Sequence, residues 1–138
     1  MQYVPHYDVV VCQNGNNRYT RALYGGTSAY RLETSDRPVF ALFQDSRNCR
    51  NISFKVTYKG HTVALDSTTA CESRYARGQR WYRIEDRSWG GASLLLDVCC
   101  LVDADRAAWH FWTVGFTQMP QIEAIVTGVR EKGLSRNG

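Results

Sequence analysis

The chain has 138 residues, of which 43% are hydrophobic, 12% aromatic and 22% charged, which suffices for one hydrophobic core in one domain. Its formal net charge of +4 comes from 17 basic and 13 acidic residues mixed along the sequence, and this lack of a basic block argues against a nucleic-acid surface. No apolar run approaches the roughly 20 residues that span a bilayer, and the first residues do not resemble a secretory signal. We therefore expect no membrane span, and a chain that either stays inside the cell or lacks its natural beginning.

The first third of the chain alternates short strand-like segments with turns. The segments are rich in β-branched and aromatic residues, and the turns between them carry Asn, Gly or Pro, which suit the special backbone angles of tight turns. Strands are predicted at 7–12, 18–24, 28–33 and 39–43. A polar loop is predicted at 44–51.

Two hairpins are predicted in the middle of the chain. Apolar and polar residues alternate through 52–66 on both sides of Lys59 and Gly60, as expected for two half-buried strands and a tight turn. The second hairpin joins 70–75 to 79–85 around Gly78. Three aromatic residues are expected to be cross-strand neighbours in it: Tyr75, Trp81 and Tyr82.

Residues 93–102 form the most apolar segment of the sequence. One face of a strand there would carry Leu94, Leu96, Val98, Cys100 and Val102, and the other face Leu95, Cys99 and Leu101. Because a strand that is apolar on both faces must be covered on both, this segment is predicted to be a central strand within a larger body. Its adjacent cysteines are expected to be small core residues that point to opposite faces.

The last third of the sequence predicts two more strands. Residues 107–116 place His110, Trp112, Val114 and Phe116 on one face, and the β-branched segment 121–129 favours a strand over a helix. Roughly ten short strands with regularly spaced turns are typical of an all-β antiparallel β-sandwich. The sequence thus predicts a single sandwich domain over 1–129 and a flexible tail at 130–138. The domain is either a stand-alone module or a fragment of a larger protein.

No group of residues has the pattern of a catalytic or metal-binding site. The five cysteines form no CxxC pair, and His6, His61 and His110 are scattered without partners at a characteristic spacing. Carboxylates of a glycosidase pair would have to come from Glu85 and Asp86 or from two residues of the 103–105 turn, and neither setting suggests a cleft. We expect no catalytic residue, no metal and no cofactor.

Two sets of residues are candidates for other roles. Aromatic side chains with an exposed face stack on sugar rings, and the candidates for this contact are Trp81, Tyr82 and Trp89. A structural motif is predicted from Asn17, Arg18, Arg21, Glu33 and Asp36. In it the two arginines hold the 13–17 turn against the sheet through carbonyls or the acidic residues, since a guanidinium donates several hydrogen bonds at once.

Three segments of the sequence resemble one known family. They are NRYTRALYG at 17–25, AYRLETSDRP at 29–38 with FALF at 40–43, and WYRIED at 81–86. These are similar to the opening segments and a later strand of DUF4450, a family of large bacterial proteins. The resemblance covers about 16–116 and departs at 44–52, where QDSRNCRN stands in place of a Gly-rich stretch.

The resemblance implies a specific architecture and role. The architecture is an N-terminal β-sandwich attached to a helical-toroid domain, as in glycoside hydrolases. In those enzymes the general acid and base lie on the helical domain. No catalytic residue is therefore carried over, and we expect a non-catalytic accessory domain of a protein that degrades polysaccharides in the periplasm or outside the cell. Its expected partners are a helical catalytic domain or another protein chain, and a glycan. Two alternatives stay open: an independent carbohydrate-binding module, and a purely structural or interaction domain with an exposed aliphatic patch.

Overall fold

The computed structural model describes residues 2–4, 9–13, 19–24, 30–44, 47–76, 78–101 and 106–128. These ranges contain strands and two short 3-10 turns, Leu65–Ser67 and Arg87–Trp89. The strands are β1 (Gln2–Val4), β2 (Val9–Gln13), β3 (Tyr19–Tyr24), β4 (Tyr30–Ser35), β5 (Phe40–Gln44), β6 (Arg47–Tyr58), β7 (His61–Ala64), β8 (Ala70–Ala76), β9 (Gln79–Glu85), β10 (Ser93–Leu101), β11 (Arg106–Val114) and β12 (Gln121–Gly128).

The strands form two sheets in which every pair of neighbours is antiparallel. Sheet 1 has the order β1-β2-β8-β9-β10-β11. Sheet 2 has the order β12-β6-β5-β4-β3, and β7 pairs with β6 beyond the end of β5. The protein is an all-β antiparallel β-sandwich, as the sequence predicts. In the described part of the chain, no helix has the length and apolar character needed to cross a membrane.

The predicted hairpins are present, but the predicted polar loop at 44–51 is wrong, because β6 already begins at Arg47 and pairs there with β5. Strands β6 and β7 are joined at Lys59 and Gly60, both with positive φ (51° and 78°), which is the backbone of a two-residue hairpin turn. Strands β8 and β9 form the second hairpin, and Gly78 next to the start of β9 has a φ of 79°. The predicted aromatic neighbours are found in part: Tyr75 and Tyr82 are diagonal neighbours on one face of the pair, whereas Trp81 lies on the other face opposite Arg74.

The core lies between the two sheets and is built from alternate residues of each strand. Sheet 2 contributes Phe40 and Phe54, whose rings meet aromatic residues of sheet 1 edge to face. The ring centroids of Phe40 and Tyr82 are 5.9 Å apart, those of Phe40 and Trp109 5.6 Å, and those of Phe54 and Phe111 5.1 Å. These contacts show that the two inner faces interdigitate, as in other sandwiches.

Strand β10 has one buried and one open face. Leu94, Leu96 and Val98 are 0–1% exposed and point to the core, so the predicted core face is confirmed. On the other face Leu95 and Cys99 are half-buried, and no described layer packs over them. The expectation that a larger body covers both faces of this strand therefore stays a prediction.

Strands β11 and β12 lie at the edges of sheets 1 and 2 on the same side of the sandwich. The predicted common face of 107–116 ends early, because Gly115 adopts a φ of 82° and returns Phe116 to the core. Phe116 packs there on Tyr58, with ring centroids 4.9 Å apart. Strand β12 confirms the predicted strand, and it pairs with β6 while most of its side chains stay exposed. The predicted tail at 130–138 lies outside the described residues.

Candidate functional site

The outer face of sheet 1 carries an open groove with a volume of about 470 Å³. It crosses the central and edge strands β8 to β11, and its lining is Glu72, Arg74, Trp81, Tyr82, Arg83, Leu95, Leu96 and Trp112. The volume falls in the range of small-molecule and oligosaccharide sites, roughly 300–1,000 Å³. We call this feature the outer groove.

Strand register explains why these side chains meet. Residues opposite each other in neighbouring strands point to the same face, so Arg83, Leu95 and Trp112 form one row across sheet 1. A second row is formed by Arg74, Trp81, Asp97 and His110. Leu95 therefore lies between the two tryptophans and forms an apolar floor.

The two tryptophans stand on opposite sides of this floor. Trp81 is half-buried on β9, and Trp112 is 44% exposed on the edge strand β11. They are separated by two strand spacings and one two-residue step, which puts their Cα atoms roughly 12 Å apart. The ring of Trp112 stacks on that of His110, with centroids 4.2 Å apart and planes inclined by 17°. This stacking holds the indole in place with part of its surface open to solvent.

Charged groups surround the apolar floor in ion pairs. Arg74 Nη2 lies 3.9 Å from a carboxylate oxygen of Glu72, and Arg83 Nη2 lies 3.4 Å from one of Glu85. The side chains of both arginines are about 60% exposed, at 59% and 60%. Asp97 accepts a hydrogen bond of 2.6 Å from Gln79 Nε2. The groove thus offers planar donors and acceptors around two aromatic surfaces.

The predicted sugar-contact residues lie in two different places. Trp81 lines the outer groove, whereas Tyr82 and Trp89 are each 2% exposed in the core. Tyr82 donates a 2.6 Å hydrogen bond to the carbonyl of Ser35, and Trp89 packs against Phe116. These two rings therefore have no face open for stacking, although Tyr82 contributes to the groove lining from below.

Trp112 is the groove residue that sequence reasoning missed. In the sequence, Trp112 shares a predicted strand face with three other large residues, and such a face usually belongs to the core. Within 107–114, Trp109 and Phe111 alternate with His110 and Trp112, and this alternation places the two pairs on opposite faces of the strand. Only one of these two sets can face the core, and the set with the histidine is the more polar.

The predicted structural motif is only partly within the described residues. Asn17 and Arg18 lie outside them, and for Arg21 the structure describes the backbone on β3 but not the side chain. Glu33 forms an ion pair of 2.8 Å with Arg31, and Asp36 one of 2.9 Å with Arg80. The proposed clamp on the 13–17 turn stays a prediction.

Arg80 is a buried polar centre, which its residue type alone does not predict. Its side chain is 0% exposed on the inner face of β9. From there it reaches the turn after β4, donating to Asp36 and to the Thr34 hydroxyl at 3.1 Å, and to Ser73 on the neighbouring strand at 2.9 Å. The guanidinium also lies 5.6 Å from the ring centre of Tyr82. This arrangement is fully enclosed, so it ties the two sheets together and offers nothing to a ligand.

The carboxylates considered for acid–base chemistry are engaged in the structure. Asp86 begins the 3-10 turn at 87–89: it accepts hydrogen bonds from the backbone N–H and hydroxyl of both Ser88 and Thr69. Partial burial raises the pKa of Asp86, but these hydrogen bonds outweigh it and leave the pKa below its ordinary value. A carboxyl with a lowered pKa is ionised at neutral pH and is poorly suited to act as a general acid. Glu85 accepts from Arg83 and from Ser93.

Cys71 and Cys100 have the properties of buried thiols. Burial raises the pKa of Cys71 to about 12 and that of Cys100 to about 11, so both are protonated at neutral pH. Cys100 points to the core while Cys99 is half-buried on the outer face, in line with their predicted opposite directions. Within the described ranges, no three His, Cys, Asp or Glu side chains come together in a way that could hold a metal ion.

Comparison with known proteins gives no relative on which to base a function. No family model matches the chain, and neither a curated protein nor a solved structure is significantly similar to it.

Proposed function

We propose that this protein is a non-catalytic, glycan-binding β-sandwich that serves as an accessory domain of a polysaccharide-degrading protein. The observation that carries the proposal is the outer groove, with Trp81 and Trp112 on either side of Leu95. Indole faces stack on the apolar faces of sugar rings, and the separation of roughly 12 Å between the Cα atoms suits a short stretch of oligosaccharide rather than a single ring.

The polar rim supports the same proposal. Sugar hydroxyls both donate and accept hydrogen bonds, and the paired side chains of Arg74 with Glu72 and Arg83 with Glu85 supply both functions within reach of the floor. Since these groups lie on strands of a rigid sheet rather than on loops, the site exists before the ligand arrives, which lowers the entropic cost of binding. An accessory role agrees with the resemblance to DUF4450 at 17–43 and 81–86.

The direct test compares variants of the two tryptophans in binding to a panel of soluble polysaccharides, by affinity electrophoresis and calorimetry. We expect weak binding by the native protein, with a dissociation constant of about 1 mM, because two aromatic surfaces contribute modest affinity. Trp112→Ala and Trp81→Ala should each weaken binding about tenfold, which corresponds to about 1.4 kcal/mol.

The matched control is Phe43→Ala on sheet 2. Phe43 is a half-buried aromatic residue with a guanidinium, that of Arg31, 4.3 Å from its ring centre, so it has the chemistry of a groove residue in a different location. Its removal should leave glycan binding unchanged. Binding that survives both tryptophan variants, or that is lost equally with Phe43→Ala, would contradict the proposal.

A second candidate, an interaction domain, is favoured by strand β12. Ala124 and Val126 pair with the inward-facing Phe54 and Ile52 of β6, yet both are exposed, so the inner face of this edge is uncovered. Met119 is 80% exposed and Ile125 39% exposed close by. The occupant that fits the resemblance is a helical catalytic domain. Under this function the protein binds no glycan, and Val126→Lys abolishes its binding to a co-expressed helical domain. If the protein is instead a glycan-binding domain, Val126→Lys leaves glycan binding unchanged.

A further inference from the structure

The positive charges of the outer groove are neutralised by carboxylates of the protein itself. Each guanidinium at the rim has a carboxylate partner on the same strand: Arg74 pairs with Glu72 on β8, and Arg83 pairs with Glu85 on β9. Because residues i and i+2 of a strand point to the same face, these pairs are built into the sequence and do not depend on a loop. Neither cation is left over to meet an anionic ligand.

Asp97 adds one further carboxylate to this face. It lies on β10 directly between Trp81 and His110, and its hydrogen-bond donor is the neutral amide of Gln79. Counting the two ion pairs together with Asp97, the described carboxylates outnumber the guanidinium groups by three to two. A ligand that brings its own negative charge meets a surface of the same sign.

We propose that the outer groove selects uncharged glycans and discriminates against acidic ones such as uronate-containing or sulfated chains. This inference rests on the proposed glycan-binding function and adds the class of ligand to it. Hydroxyl groups exchange hydrogen bonds with the ion pairs without separating them, whereas a carboxylate or sulfate would have to displace Glu72 or Glu85 from its arginine. One like-charge contact at about 4 Å in water weakens binding about fivefold.

The test uses one glycan in two chemical forms. The neutral polysaccharide that binds best in the panel is partially hydroxyethylated in one sample and partially carboxymethylated to the same degree in another. The two forms share backbone and substituent size and differ in charge. The native protein should bind the carboxymethyl form at least about fivefold more weakly than the hydroxyethyl form at low ionic strength. Added salt should reduce this difference and leave binding of the neutral form nearly unchanged.

A charge variant tests the cause of the discrimination. Glu72→Gln removes one carboxylate and leaves Arg74 without its partner in this pair, so the ratio of affinities for the hydroxyethyl and carboxymethyl forms should fall about fivefold. Glu123→Gln is the control, because Glu123 lies on β12 with a side chain that is 60% exposed and should not affect the ratio.

Each outcome of these measurements has one meaning. Equal binding of the two forms, tighter binding of the acidic form, or a panel in which only acidic glycans bind would overturn the selectivity while the glycan-binding function stands. If no glycan in the panel binds, the proposed function itself fails, and the selectivity fails with it.

Discussion

At the residue scale, the most unusual environment belongs to Arg80. Removing a guanidinium from water is costly, and the cost is offset here by an ion pair with Asp36, two hydroxyl acceptors and a nearby aromatic ring. The pair crosses from sheet 1 to the turn after β4 in sheet 2. Such a contact contributes little net stability, but it fixes the position of one sheet relative to the other, because any shift would leave a buried charge without its partner.

Breaking this pair from one side should be severely destabilising. We expect Arg80→Met to lower the free energy of unfolding by about 3–5 kcal/mol, because it leaves a carboxylate in the interior without its main charge partner. Asp36→Asn in the same background should restore part of the loss, since the amide needs no counter-charge. Urea denaturation of the two single variants and the double variant gives the coupling energy. A single Arg80→Met variant within about 1 kcal/mol of the native protein would show that the pair is dispensable.

Asp86 should make the stability of the protein sensitive to acid. Its pKa in the folded protein lies below the ordinary value of 3.8, so the stability it contributes is present above that value and is lost as the pH falls through the lowered pKa. Asp86→Ala should cost about 0.5–2 kcal/mol at pH 7, the usual range for losing such a cap. The difference from the native protein should shrink toward pH 3. Denaturation at both pH values is the measurement, and Asp66→Ala, at the other 3-10 turn, is the control; a difference that stays constant with pH would contradict it.

At the scale of the element, β10 presents one face to the core and the other to the outer groove. Leu96→Ala should lower the free energy of unfolding by about 2–5 kcal/mol, because it leaves a cavity in a packed core. Leu95→Ala, one residue away and half-buried, should cost clearly less and should weaken glycan binding by removing the groove floor. Thermal and urea denaturation of both variants is the test. An unchanged thermal midpoint for Leu96→Ala would mean that the strand is not part of the core.

The strands were largely predictable from the sequence, and the use of their faces was not. Alternation and turn residues locate the β6–β7 and β8–β9 hairpins and the last strand, because these depend on local chemistry. Which face of β11 meets the core depends on the register with β10, which is a long-range property, and the local indication in the sequence is only that the set with His110 is the more polar. For the same reason the groove could not be predicted: Trp81 and Trp112 come together through two strand pairings.

A second limit on prediction is the buried charge. Arg80 lies in an alternating segment where Tyr82 and Ile84 share its face, so its position in the core follows from the pattern. The composition of that face argues against it, since arginine is seldom fully buried without a partner. The partner, Asp36, lies 44 residues earlier in the chain, in a turn, where polar residues are common and do not by themselves indicate a buried ion pair.

At the scale of the whole molecule, the protein should not hydrolyse glycosides by itself. A glycosidase requires two carboxyl groups roughly 5–10 Å apart on either side of the scissile bond, one of them protonated. Asp86 is held ionised by its hydrogen bonds, and Glu85 is occupied by Arg83 and Ser93. Incubation with aryl-glycosides and plant polysaccharides should therefore release no product. Turnover that disappears in Glu85→Gln or Asp86→Asn would make the domain an enzyme in its own right.

Hydrogen bonds reach across the sandwich both near β3 and β4 and just after β11. On the side of β3 and β4, directional hydrogen bonds cross the interface, from Arg80 to Asp36, from Tyr82 to Ser35 and from Tyr75 to Ala22. On the side of β11, the aromatic contacts between the sheets are apolar, and just after this strand the backbone N–H of Thr117 donates a hydrogen bond to the Tyr58 hydroxyl on β6. Trp81 and Trp112 lie on strands β9 and β11 of one sheet, which both pair with β10, so the hydrogen-bonded ladder sets the distance between the two indoles. A chain that contacts both rings must match this fixed spacing with its own repeat.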